Sequence, residues 1–151
     1  MPTPNNKAVV HRWFEEVWNQ GREATIDELF ATDGVTIGLG ESDVEVRGPS
    51  QFKTFFYNLR TAFPDLQITI EDTLAEGEKV AVRLKIEGTH KGEGIGLSPT
   101  GRRISIAGIL IIRFADGKFV EAWNSWDQLG MLRQIGVIPA AENDRFLAAR
   151  G

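Results

Sequence analysis

The 151-residue chain contains no cysteine and only two histidines. Without cysteine there can be no disulfide, no thiolate nucleophile and no cysteine-based zinc or iron–sulfur site. The two histidines, His11 and His90, lie far apart in the sequence, which argues against a metal site. Lysine and arginine are scattered and the net charge is −4, so no basic stripe indicates nucleic-acid binding. We therefore expect no metal and no nucleic-acid partner.

Long apolar segments are also missing. The longest, residues 104–114, is too short to span a bilayer and carries Arg113. The N-terminus has neither the basic start nor the apolar run of a signal peptide. These absences predict a cytoplasmic protein with no membrane partner.

The chain has the length of one domain, for which we expect a core at about residues 7–136 and a tail at residues 137–151. Apolar residues at helical spacing predict helices at residues 5–19 and 23–31. A third helix is predicted from Gly48-Pro49-Ser50, with proline in its first turn, to the residue before Pro64. The tail beyond Pro139 is either a short helix or loose.

Strands follow the helices. A short strand is predicted at residues 35–39, and from Leu66 onwards apolar and polar residues alternate. This alternation predicts strands at residues 66–70, 80–86, 102–115 and 118–126, the last two joined by the Asp116-Gly117 turn. Residues 127–134 are predicted to form a closing helical turn. Helices followed by long strands are typical of the α+β class, here a curved antiparallel sheet around three helices.

Both faces of the strand around residues 104–112 are largely apolar, with Ile106 and Leu110 on one face and Ile109 and Ile111 on the other. We therefore expect both faces to be covered. The helices can cover only one of them, so we predict a homodimer or higher homo-oligomer through the outer face. A loop folded over that face is the alternative.

Several short motifs in the second half carry a family resemblance. They are Gly88-Thr89-His90, Pro99-Thr100-Gly101, Asp116-Gly117-Lys118, Glu121-Ala122-Trp123 leading to Asp127, and Gln134-Ile135-Gly136. Over about residues 7–136 the chain resembles the SnoaL-like polyketide cyclase family of the NTF2-like superfamily. The resemblance implies a cone-shaped fold with an internal pocket and a cofactor-free enzyme that closes a polyketide ring by intramolecular aldol condensation. It also implies that Asp127 is the acid/base residue and His90 a second pocket residue.

The chemistry expected of Asp127 is proton transfer in both directions. One carboxyl group can take a proton from a carbon between two carbonyls and return one to the new alkoxide. By strand alternation Trp123 and Asp127 share one face, which we expect to be the pocket face. The alternative is that Asp127 only caps the helical turn that follows it. For His90 the alternative is an exposed histidine at a strand end.

Aromatic residues complete the expected site. We expect side chains that stack on a small planar hydrophobic ligand, although aromatic residues are core by default: Trp13, Phe14, Trp18, Phe56 and Trp123. The glycine-rich connection at residues 91–101 is a candidate lid.

Other functions of this fold remain open. An NTF2-like isomerase would require a well-placed tyrosine, whereas the only tyrosine, Tyr57, lies off the apolar stripe of its helix. An epoxide hydrolase would require an Asp–Arg–Asp cluster, which the strands lack. The alternative from another class is a non-catalytic binding domain for a small hydrophobic ligand.

Overall fold

The computed structural model describes residues 5–40 and 44–139. Its helices are α1 Asn6–Trp13, which continues as a π-helix at Phe14–Asn19, α2 Ala24–Leu29, α3 Gly48–Ala62 and α4 Gln128–Gln134. The three predicted N-terminal helices and the closing helical turn are confirmed. The tail at residues 140–151 lies outside the described residues.

Local chemistry accounts for where two of these helices begin. The side chain of Asn5 accepts the backbone N–H of Ala8 at 3.1 Å and so caps α1. Pro49 stands in the first turn of α3, where its missing N–H costs no helical hydrogen bond.

Within the described residues, six strands form one sheet in the order β2-β1-β6-β5-β4-β3. They are β1 Phe30–Ile37, β2 Glu45–Arg47, β3 Gln67–Glu76, β4 Lys79–Thr89, β5 Arg103–Ala115 and β6 Lys118–Trp126. The α+β class is confirmed, but the expectation of a wholly antiparallel sheet is wrong because β1 pairs with β6 in parallel. A parallel pair needs a long connection, and here that connection contains α3 and four strands.

The alternation of β6 is broken by one extra residue. Phe114 of β5 pairs with Phe119, but the next residue back, Arg113, pairs with Glu121, so Val120 is a bulge. Before the bulge Phe119 faces the core, and after it Ala122 is the next buried residue. The bulge therefore reverses the phase of the strand, and Asn124 and Trp126 point inward in place of the residues that strict alternation predicts.

The helices pack on the concave face of the sheet. The Trp13 ring lies 5.1 Å from the ring of Phe52 on α3 and 4.7 Å from that of Phe119 on β6, so an aromatic cluster joins both layers. The Asn19 side chain, at the end of the π-helix, donates to the Ile68 carbonyl and accepts the Ile68 N–H. It thus pairs with the edge strand β3 as another strand would, which holds the first helix over the sheet.

The outer face of the sheet is uncovered by the described residues. Ile109 and Ile111 on β5 are 55% and 41% exposed. The glycine-rich connection at residues 91–101, the candidate lid, begins against the end of α3, where the N–H groups of Lys91 and Gly92 donate to the Ala62 carbonyl. Its role as a lid stays a prediction, as does the oligomer.

Candidate functional site

A cavity of about 80 Å³, partly open to solvent, lies between the helices and the concave sheet face. A water's share of the liquid volume is about 30 Å³, so this space corresponds to roughly two or three waters, and a ring-sized ligand requires side chains of the wall to move apart. Its wall is mostly aromatic and aliphatic. The aromatic lining residues are Trp13, Phe14, Trp18, Phe30, Phe52, Phe55, Phe63, Phe119 and Trp126.

Three of the five aromatic residues expected at the pocket lie on its wall. Trp13 and Phe14 flank the junction between α1 and the π-helix, and Trp18 follows one turn later. Phe56 is buried but is not a lining residue, since it packs against Trp18 with ring centroids 5.6 Å apart. It supports the wall without forming it.

The expectation that Trp123 lines the pocket is wrong. Trp123 is 37% exposed and lies on the outer face of the sheet, where the Lys79 ammonium is 5.4 Å from the centroid of its ring. The cause is the bulge at Val120, which turns Trp123 outward and Trp126 inward. Trp126 takes the place on the wall that the sequence analysis gave to Trp123.

Among the described lining residues, Asn124 and Thr36 form a hydrogen-bonded polar pair within a mostly apolar wall. Asn124 on β6 donates from Nδ2 to Thr36 Oγ1 on β1 at 2.6 Å and to the Ile37 carbonyl at 2.9 Å. Both Asn124 and Thr36 line the cavity, and Thr36 is only 3% exposed. Neither residue was predicted from the sequence to lie at the site. The one signal was an asparagine within a strand, a position where this residue is depleted.

The structure places Asp127 at the start of α4 rather than on the cavity wall. Its Oδ1 accepts the Gly130 N–H at 2.8 Å, which makes it the N-cap of the helix, and the residue is exposed. Its neighbours Trp126 and Met131 do line the cavity. The capping role raised as the alternative is thus present, while a catalytic role of Asp127 stays a prediction.

His90 is fully buried, so the alternative of an exposed histidine is wrong. Its Nδ1 accepts the Thr100 N–H at 3.2 Å and lies 3.1 Å from the Thr100 hydroxyl oxygen. Nε2 has no hydrogen-bond partner among the described residues. The ring lies 5.5 Å from that of Phe63, a wall residue, but His90 itself does not line the cavity. A catalytic role of His90 stays a prediction.

Ionisable groups are concentrated away from the cavity. None of the described residues that line it carries an ionisable side chain. The carboxyl groups whose pKa is displaced lie elsewhere: a hydrogen bond from Arg12 lowers the pKa of Glu16, which is joined to α2 through Thr25. In residues 5–40 and 44–139 no three histidine, aspartate or glutamate residues cluster as a metal site would require.

The described helices are all too short or too polar to cross a bilayer.

Comparison with known proteins agrees with the fold described above. Residues 8–135 match the family model of the SnoaL-like polyketide cyclase. The aklanonic acid methyl ester cyclase DnrD of Streptomyces peucetius is 32% identical over 123 residues, which cover 80% of this chain and 84% of the relative.

Two solved structures are similar throughout. One, assigned as a SnoaL-like polyketide cyclase of Jannaschia sp. CCS1, superposes with a TM-score of 0.81 at 25% identity, covering 92% of this chain and 99% of that one. The other, AclR of Streptomyces galilaeus, is assigned as a hydroxylase and gives a TM-score of 0.78 at 32% identity, covering 90% and 83%. From this family model and these relatives, the chain belongs to the SnoaL-like polyketide cyclase family.

Proposed function

We propose that this protein closes a ring of a small polyketide by intramolecular aldol condensation. The observation that carries the proposal is the cavity itself, whose aromatic walls suit a flat ring system and whose one polar pair suits an oxygen substituent. The relatives named as aklanonic acid methyl ester cyclases indicate an ester of a polyketide acid as the substrate class.

The reaction balances within the substrate. A proton leaves the carbon between two carbonyl groups, and the enolate attacks a second carbonyl carbon of the same molecule. The new alkoxide then takes up a proton, so no oxidant or reductant is consumed. The protein has to fold the chain into a reactive geometry, exclude water and move one proton each way. The substrate delocalises its own enolate, and the reaction therefore does not depend on a metal.

Asp127 is our candidate for the proton transfer. Its support is positional: it stands between Trp126 and Met131, which both line the cavity, and it occupies the family position named in the sequence analysis. To reach a substrate, its carboxylate would leave the Gly130 N–H. That movement exchanges one hydrogen bond for another and is open to a side chain that is exposed.

The Asp127→Asn variant tests this role directly. Asparagine caps a helix about as well as aspartate, so the fold is preserved while the acid/base group is lost. With aklanonic acid methyl ester as substrate, we expect turnover to fall about a hundredfold or more while the affinity for the substrate is retained. Undiminished turnover in Asp127→Asn would remove Asp127 from the mechanism.

A second candidate function is a non-catalytic binding domain for the same kind of ligand. The observation in its favour is that none of the described lining residues is ionisable, so the wall can bind a neutral ligand without offering it a proton donor or base of suitable strength. If the unmodified protein binds aklanonic acid methyl ester and leaves it unchanged, the binding function replaces the cyclase.

A further inference from the structure

The Asn124 amide has a determined orientation. Its nitrogen lies 2.9 Å from the Ile37 carbonyl, which can only accept, so the atom facing that carbonyl must be Nδ2. The second proton of Nδ2 goes to Thr36 Oγ1 at 2.6 Å. Both amide protons are therefore used within the protein, and Oδ1 is left with its acceptor capacity.

Thr36, in contrast, can still donate a hydrogen bond. Its Oγ1 accepts from Asn124, and its own hydroxyl proton has no acceptor among the described residues. The pair thus offers one donor, the Thr36 O–H, and one acceptor, Asn124 Oδ1, in a wall that is otherwise apolar apart from the exposed Ser125. A buried donor that stays unpaired costs free energy, so a ligand that satisfies it gains affinity.

The pair is held rigidly by the strands beneath it. In the parallel ladder Thr36 pairs with Ala122 and Ile37 with Trp123, which sets Thr36 and Asn124 on the same inner face. Just beyond, β1 approaches β6 so closely that a Cβ at Gly38 would lie 2.1 Å from the Asn124 carbonyl oxygen. The Trp126 indole then donates to the Leu39 carbonyl at 2.8 Å. The two side chains therefore lose little conformational entropy when a ligand binds.

We propose that Thr36 and Asn124 bind an enolised β-diketone, with the Thr36 O–H donating to its carbonyl oxygen and Asn124 Oδ1 accepting its enol O–H. The enol form of a β-diketone closes an internal O–H···O hydrogen bond. When the enol O–H turns outward, the ligand presents one donor and one acceptor, the complement of this pair, so that two hydrogen bonds to the protein replace the internal one. Both residues act as positioning residues that orient the carbon between the two oxygens within the aromatic cavity. This inference rests on the proposed function, because it assumes that the cavity receives an oxygen-bearing planar ligand.

The test compares two probes of equal skeleton. 2-Acetyl-1-tetralone is an enolised β-diketone on two fused rings, and 2-ethyltetralin has the same carbon skeleton without oxygen. We expect the unmodified protein to bind the diketone more tightly by calorimetry. The Thr36→Val variant replaces the hydroxyl with a methyl group of similar size and should lose about three- to tenfold in diketone affinity, with the hydrocarbon affinity unchanged. Asn124→Leu should lose affinity for the same probe.

Two control variants show whether the loss of affinity comes from the Thr36 hydroxyl. Thr36→Ser restores the hydroxyl and should restore the preference for the diketone. Thr25→Val removes an equally buried threonine hydroxyl that does not line the cavity, so it should lower the melting temperature without changing the ratio of the two affinities. No preference in the unmodified protein, or an equal loss for both probes in Thr36→Val, would overturn the inference. Because these measurements need no turnover, a protein that shows the preference but cyclises nothing would refute the cyclase proposal alone.

Discussion

The carboxylate of Asp127 lies directly against Gly130. Oδ1 accepts the Gly130 N–H at 2.8 Å, and a Cβ at position 130 would stand 2.2 Å from Oδ2. The cap and the glycine therefore depend on each other, since a side chain at position 130 would push the carboxylate out of its place. This relationship ties the proposed acid/base group to the start of α4, whose Met131 closes part of the cavity wall.

Asp127→Ala should reduce the free energy of unfolding by about 0.5–2 kcal/mol, because the first turn of α4 loses its acceptor. Asp127→Asn is the matched control and should change it little, since asparagine is an equally good cap. Urea denaturation followed by tryptophan fluorescence measures both. A loss of stability in Asp127→Asn as large as that in Asp127→Ala would mean that the charge, and not the cap, stabilises this region.

Gly38→Ala should destabilise the protein by about 1–3 kcal/mol. The residue has φ +87°, and its new Cβ would meet the backbone of Asn124, which cannot move without disturbing the β1–β6 ladder. Gly40→Ala is the matched control two residues away, with no atom within 4 Å of its Cβ. It should change the free energy of unfolding by no more than about 0.5 kcal/mol. Equal effects of the two substitutions would show that the close approach of β1 to β6 contributes nothing.

Asp65 should contribute stability that depends on pH. Burial favours a raised pKa, but hydrogen bonds from the N–H and hydroxyl of Thr89 outweigh it and lower the pKa of Asp65 below its ordinary value of 3.8. A carboxyl group whose pKa is lower in the folded state stabilises the fold above its unfolded pKa, and this contribution is lost as the pH falls through the folded value.

The Asp65→Asn variant should therefore be less stable than the unmodified protein at pH 6, with a difference that shrinks as the pH falls below 3.8. Urea midpoints recorded between pH 6 and pH 3 measure this. A difference that stays constant with pH would mean that the ionised carboxylate is not what holds Thr89.

The outer face of the sheet should be an interface between two copies of the chain. Leu74, Ala81, Ile111 and Trp123 stand in register across four adjacent strands, and Ile109 lies beside them. The exposed fraction of Leu74 is 69%, an unusual exposure for a leucine on a sheet. We expect the unmodified protein to sediment as a dimer or higher oligomer.

Ile111→Glu should shift that species to the monomer, because a carboxylate would be buried unpaired in the interface. Tyr57→Gln is the control, since Tyr57 is equally exposed but lies on α3, away from the outer sheet face. Sedimentation velocity across a range of concentrations distinguishes the two. A monomer in the unmodified protein would refute the interface.

Local patterns in the sequence were sufficient to predict most of the helices and strands. The helical spacing of Val10, Trp13 and Val17 and the alternation around Val80 and Val82 predicted elements that the structure contains. The hairpin at Asp116-Gly117 was predicted equally well, because its turn residues adopt the positive φ that such a turn requires. Short-range chemistry specifies these features, so they can be recognised without knowledge of distant contacts. The family resemblance likewise followed from short motifs.

The cavity wall, in contrast, was decided by contacts between residues far apart. A single bulge at Val120 exchanged Trp123 for Trp126 on the inner face, and no local pattern marks that extra residue. Thr36 and Asn124 are 88 residues apart and meet only because β1 joins β6 in parallel. The sequence by itself determined most of the helices and strands and the family, since these depend on neighbouring residues, but it did not reveal the short strand β2. Which side chains face the ligand depended on strand register, which exists only once the sheet has formed.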